Sequence, residues 1–166
     1  ICYHAAMEIR QATIYDLDML CEAEAECFNP AERAERTSIE KRLKTFANHF
    51  LLLFERGRLA AYIDGAVTDG RDLADEMFEN EKLHDEKGAW QMIFGLGVKE
   101  NFRGRGYAAM LIKEFCAVAE SEGRRGVVLT CKPHLVPFYS KFGFKDEGVC
   151  ASSHGGAVWH QMRMEF

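Results

Sequence analysis

Arg103-Gly104-Arg105-Gly106-Tyr107-Ala108 sets two arginines and two glycines where an alternating apolar run gives way to a helical pattern. Glycine at such a junction weakens both neighbouring elements by roughly 0.5–1 kcal/mol. The exposed backbone is therefore the expected source of chemistry. Uncovered N–H groups at a helix start hold an anion such as a phosphate. A plain turn is one explanation. A dinucleotide fingerprint is a second, because Gly104-x-Gly106-x-x-Ala109 has its spacing. That turn falls late in the chain, however, and the next region offers Arg124, Arg125, Cys131 and Lys132 with no acid for a ribose. A P-loop needs Gly-Lys-Ser/Thr, which does not follow. A pyrophosphate turn of another kind, Arg103-x-x-Gly106-x-Ala108, is the third.

Charge is the other chemical signal. Residues 69–87 carry eight acids (Asp69, Asp72, Asp75, Glu76, Glu79, Glu81, Asp85, Glu86) and three bases (Arg71, Lys82, Lys87). Their net −5 equals that of the whole 166-residue chain, so the remainder is balanced. An acidic chain of this kind is not built for nucleic acid. No apolar run reaches the ~18–20 residues that span a bilayer, so no membrane role is expected. The six cysteines form no C-x-x-C pair; reduced thiols, no metal and a cytoplasmic setting follow as expectations. Residues 1–6 precede a methionine and are expected to be an N-terminal extension, with one domain over 7–166.

The elements that would position these residues alternate. A strand is expected over 7–13 and a helix over 16–28, with Leu17, Leu20, Cys21 and Phe28 on one face. A second helix follows, capped at Thr37 or Ser38 with Glu40 behind. Two strands flank a turn at Arg56-Gly57-Arg58. One strand covers 90–98, with Trp90, Met92, Phe94, Leu96 and Val98 sharing a face and Gln91, Ile93, Gly95 and Gly97 the other. A helix over 106–122 carries Ala108, Leu111, Ile112, Phe115 and Ala119, and Gly123 closes it. A buried strand (126–131), a short helix before Gly143 and two strands near 144–152 and 157–165 complete the chain.

With "GLGV" before it and the amphipathic helix after it, the Arg103–Ala108 turn resembles the pyrophosphate loop of the GNAT acyltransferases. The stretch "LTCKPHLVPFYSKFGF" (129–144) resembles the arylalkylamine N-acetyltransferase branch in particular, and the order of elements matches over about 7–166. The resemblance implies an α/β fold, a mixed central sheet of about seven strands flanked by about four helices. It implies acetyl-CoA as cosubstrate, lying between splayed strands at 91–98 and 126–131. Gly95 and Gly97 leave one face of the first of these open to close approach. Backbone groups of Leu96, Gly97 and Val98 would meet the pantetheine and thioester. Those of Arg103, Gly104, Arg105, Gly106, Tyr107 and Ala108 would meet the pyrophosphate. Tyr139 takes the place of the tyrosine that protonates the departing thiolate.

The implied reaction is acetyl transfer to a primary amine by direct attack. Only about 10⁻³ to 10⁻⁴ of an alkylamine with pKa ~10.4 is neutral at pH 7, so a proton acceptor is required. The family pattern has two histidines on the central strand; Met92 and Phe94 stand there in this chain. A water chain, a carboxylate, His134, His154 or His160 are the alternatives. Asp75, Glu76 and Glu79, with Met92 and Phe94, are the expected contacts of a small cationic, arylalkyl-type acceptor. A CoA-binding sensor without catalysis, or an enzyme acting on a protein N-terminus or lysine, stays open beside it, as does a homodimer.

Overall fold

The computed structural model describes residues 6–166, so the expected extension lies outside it apart from Ala6. Strands β1 (Met7–Gln11), β2 (Phe50–Glu55) and β3 (Arg58–Asp64) form an antiparallel meander. The β2–β3 turn is tight because both Arg56 and Gly57 adopt left-handed backbone, with φ of 50° and 76°, as two-residue hairpin loops require. Side chains of β2 alternate between two cores. Leu51 and Leu53 join one, and Phe50, Leu52 and Phe54 the other, so this strand is covered on both faces.

The second of those cores is closed by α1 (Leu17–Cys27) and α2 (Arg36–Phe46), through Leu20, Ala23, Ile39 and Leu43. The expected cap at Thr37 or Ser38 is corrected: Glu35 is the cap position and no side chain bonds the first N–H groups. The first core is closed by α3 (Tyr107–Ser121), whose Leu111, Ile112 and Phe115 are buried as the periodicity predicts. Each such side chain contributes about 1.5–3 kcal/mol.

The expected single strand over 90–98 is two. β5 (Trp90–Ile93) runs parallel to β7 (Gly126–Cys131), with Ile93 opposite Leu129. β6 (Gly95–Val98) leaves β7 and pairs antiparallel with β3, Gly95 opposite Asp64 and Gly97 opposite Tyr62. Phe94 at the break donates its N–H to the carbonyl of Asp64 at 2.7 Å. The break also shifts the alternation by one residue, as a bulge does. Trp90, Met92 and Phe94 pack in a third cluster with Leu73 and Val128, whereas Ile93, Leu96 and Val98 pack in the α3 core. The expectation of one shared face from Trp90 to Val98 is thus corrected.

Two sheets result among the described residues, ordered β1-β2-β3-β6 and β4-β5-β7-β9-β8. β4 (Val67–Thr68), unforeseen, is the short partner of β5, and β8 (Lys145–Val149) and β9 (His160–Glu165) close the far edge. α4 (Val136–Ser140) follows β7. The expected α/β architecture holds, with nine strands in place of about seven and four α-helices among the described residues.

Candidate active site

β5 and β7 hydrogen-bond as far as Ile93 and Leu129; beyond them β6 turns to β3, while β7 stays paired with β9 along its whole length and loses its partner on the other side. A cavity of about 710 Å³ fills the resulting gap. Ile93, Phe94, Gly95 and Leu96 form one wall and Leu129 to Lys132 the other. Residues of the α1–α2 region, Phe78 and Glu79, and His154 with Trp159 close it above. Lys99 N–H bonds the carbonyl of Ala60 at 2.9 Å, and antiparallel bonding alternates along a strand. Gly97 therefore faces β3, and Leu96 and Val98 turn their N–H groups toward the gap.

Gly95 and Gly97 clear their face for the protein itself. A Cβ on Gly97 would lie 2.8 Å from the Tyr62 ring, and one on Gly95 3.2 Å from Asp64 Oδ1. The Tyr62 hydroxyl donates to Glu24 Oε2 in a short contact, and Glu24 Oε1 accepts the N–H of Ala34 at 2.9 Å. Asp64 is 2% exposed, and its Oδ2 accepts from Arg42 Nη1 at 3.2 Å. Arg42 also donates to the Phe78 carbonyl at 2.8 Å and lies 5.0 Å over the Phe94 ring. Burial pushes the Asp64 carboxyl up to about 6, against the pull of Arg42 and with the repulsion of Glu24.

Tyr139 projects from α4 into the cavity. Its residue is 8% exposed. Burial, and secondarily Cys131, holds its phenol far above the ordinary range, so it is a proton donor at neutral pH. Among the described residues nothing hydrogen-bonds its hydroxyl, while Phe138 and Phe144 fix the ring edge-on at 5.1 and 6.0 Å.

A second cavity of about 220 Å³ opens at the start of α3, lined by Val98, Phe102, Phe138 and the turn residues Arg103, Gly104, Gly106, Tyr107, Ala108 and Ala109. Gly106 caps the helix with φ of 80°, and no side chain covers the first N–H groups. Such a terminus attracts anions. Arg103 is anchored by Nε to the Val98 carbonyl at 3.1 Å. Arg105 does not face this cavity: its guanidinium holds Glu55 at 2.7 Å, and Glu55 also accepts from the Tyr107 hydroxyl at 2.5 Å.

The acidic connection is less available than its charge suggests. Asp75 is spent on the 150–159 loop, accepting Ser152 Oγ at 2.5 Å and Ser153 N–H at 3.1 Å. That loop crosses the cavity mouth, where His154 stacks on Phe78 at 5.4 Å and reaches the Glu32 carbonyl at 2.8 Å. Of the expected acceptor contacts, Glu79 and Phe94 line the cavity; Asp75 and Glu76 do not, and Met92 is fully buried beneath. Sequence reasoning missed Asp64, Arg42, Glu24 and Tyr62. The signal was an acid closing the apolar run LAAYID, which reads just as well as the start of a turn at Gly65.

His49, His84 and Glu86 bring their donor atoms within 4.8 Å, a spacing that suits a metal ion. The tautomers argue otherwise. His84 Nδ1 accepts the N–H of Val67 at 3.0 Å, which leaves Nε2–H to donate to Glu86 at 2.8 Å. His49 Nε2 lies 2.8 Å from the same carboxylate oxygen. His84 therefore presents an N–H to Glu86, whereas a neutral imidazole binds a metal through a free lone pair.

Splayed strands, an uncapped glycine turn between β6 and α3, and a buried tyrosine at the gap are the arrangement that the GNAT resemblance implied. The acetyltransferase (GNAT) family profile matches residues 14–144, and the chain belongs to that family. It is 34% identical over 124 residues to serotonin N-acetyltransferase of Mesocricetus auratus, an alignment covering 69% of this chain and 58% of that protein. The chain thus spans well under two thirds of that relative's length. Among solved structures it resembles the GphF GNAT-like decarboxylase in complex with isobutyryl-CoA (TM-score 0.83, 20% identity, 95% of this chain and 98% of that one). A GNAT family acetyltransferase from Brucella melitensis in complex with acetyl-CoA is also similar (TM-score 0.63, 20% identity, 98% and 90% covered). At these identities the structural likeness concerns the fold.

Proposed function

We propose that this protein moves an acetyl group from acetyl-CoA to the primary amine of a small cationic acceptor, by direct attack on the thioester. The observation that carries this is the gap between β6 and β7, with Tyr139 in it and unpaired backbone N–H groups at both the gap and the α3 start. The serotonin N-acetyltransferase relative supports an amine acceptor, and the acetyl-CoA complex of the Brucella protein supports the donor.

The residues divide the work. N–H groups of the 104–108 turn receive the pyrophosphate, and Arg103 adds charge beside them. The N–H of Leu96 or Val98 polarises the thioester carbonyl as an oxyanion donor. The amine nitrogen attacks that carbon, the C–S bond breaks, and the Tyr139 hydroxyl gives its proton to the thiolate. Aromatic walls (Phe28, Phe78, Phe94, Trp159) suit an arylalkyl group, and Glu79 suits its ammonium end. Purified protein, acetyl-CoA and a panel of primary amines, followed by release of free thiol, test this. Turnover with arylalkylamines such as tryptamine is expected. Acetyl-CoA binding without turnover of any amine contradicts it and favours a CoA-binding sensor.

A further inference from the structure

We propose that Asp64 is the proton acceptor for the incoming ammonium, reached from the cavity across the bare face of Gly95 and held in place by Arg42. This deepens the acetyl-transfer function proposed above and rests on it. The family histidine positions are Met92 and Phe94 here, so deprotonation needs another group; the cavity lining offers several, and Asp64 lies just behind it, on the far side of Gly95.

Most of them are engaged. Glu24 has both carboxylate oxygens occupied, one by the Ala34 N–H and one by the Tyr62 hydroxyl. Glu32 pairs with Lys132 at 2.5 Å. His154 is held between the Glu32 carbonyl and the Phe78 ring at the mouth. His134, Glu35 and Glu79 are exposed. Asp64 differs: Oδ2 meets Arg42, and Oδ1 has no hydrogen-bond partner among the described residues.

Location agrees. Asp64 stands opposite Gly95 in the β3–β6 register, beside the point where β6 parts from β7. Gly95 lines the cavity, and its missing side chain is what leaves Oδ1 uncovered, since a Cβ would sit 3.2 Å away. One residue on, Leu96 turns its N–H to the gap. A nitrogen attacking a carbonyl held there lies on the side of β6 where a buried carboxylate keeps one oxygen, Oδ1, without a hydrogen-bond partner among the described residues. The charged and titratable groups facing Asp64 are Arg42 from α2, Glu24 from α1 and Tyr62 from its own strand; Phe94 and Gly95 of the opposing segment bring no charge. With its carboxyl near 6 it is ionised at neutral pH yet basic enough to take a proton, the range in which a general base works best.

The step balances. The ammonium N–H bond breaks and its proton goes to Asp64 Oδ1. The freed lone pair forms the C–N bond, and the C–S electrons leave on sulfur, which takes the Tyr139 proton. The nitrogen's surplus proton re-protonates Tyr139, and Asp64 returns its own to solvent.

The test is the pH dependence of kcat/KM for an arylalkylamine such as tryptamine. Wild type is expected to lose rate below about pH 6, tenfold per pH unit, as Asp64 becomes protonated. Asp64→Asn is expected to lose about 10²–10⁴ in kcat and that acidic limb, with acetyl-CoA Kd within a few-fold by calorimetry. Arg42→Gln keeps the carboxyl and removes its cation, so the limb is expected to move to higher pH, which a merely structural pair would not produce. If Asp64→Asn folds poorly around a stranded Arg42, the double variant Asp64→Asn/Arg42→Gln removes both charges. Wild-type kcat with an unchanged limb in Asp64→Asn overturns the assignment and leaves acetyl transfer standing. A wild-type profile flat from pH 5 to 7 overturns it without any variant. Absence of turnover in wild type takes both down.

Discussion

Tyr139 separates packing from chemistry, because its ring makes the contacts and its hydroxyl makes no hydrogen bond within the described protein. Tyr139→Phe leaves no partner stranded, so its melting temperature should stay within a few degrees of wild type. Loss of a positioned general acid costs about 10²–10⁴ in rate, so kcat should fall by that range while acetyl-CoA affinity holds. Steady-state kinetics beside a thermal melt measure both, and a Phe variant at wild-type kcat removes the tyrosine from the mechanism. The place of Tyr139 at the gap was expected before any coordinates because its Pro-Phe-Tyr setting resembles a known branch; its acid role is the proposal made above. Asp64 was not legible. Its role depends on a partner 22 residues upstream and on a glycine across the sheet, and neither relation is written in local spacing.

At the scale of elements, the turn before α3 was read correctly from Gly104, Gly106 and Ala108, since left-handed backbone and an open helix start are local properties. Gly106 sits at φ of 80°, where a β-branched side chain is strained by about 1–3 kcal/mol. Gly106→Val should therefore abolish acetyl-CoA binding measured by calorimetry, in a protein whose circular dichroism is native; equal binding contradicts the pyrophosphate role of the turn. The break at Phe94 was not legible. Strict alternation from Trp90 to Val98 promised one strand, and only the competing pairing of β6 with β3 shows why the residues after Phe94 change partners and face. The same limit explains the acidic connection. Its charge was countable, but Asp72 is committed to Arg163 at 2.6 Å, Asp75 to the 150–159 loop and Glu86 to two histidines.

For the whole molecule, the cluster at Glu86 ties the segment before β2, the connection and the turn between α3 and β7, since Arg124 also donates to the carbonyls of Glu86 and Gly88 at 2.7 and 2.8 Å. Burial lowers the His84 pKa. A base whose folded pKa is depressed is protonated more readily in the unfolded chain, so its contribution is present above the unfolded value of about 6.5 and is lost as pH falls through the folded one. Melting temperature should fall from pH 7 toward pH 5, and His84→Asn, whose amide oxygen can still accept the Val67 N–H, should show a shallower fall. Equal slopes remove His84 from the acid response. No helix among the described residues is long and apolar enough to cross a membrane. The molecule's central claim, that the β6–β7 gap is where acetyl passes from sulfur to nitrogen, is tested most directly by stoichiometry. Protein, acetyl-CoA labelled in the acetyl group and tryptamine are mixed, and labelled N-acetyl amide is measured by mass spectrometry against thiol released. One amide per thiol is the predicted result; thiol without amide, or bound acetyl-CoA with neither, contradicts it.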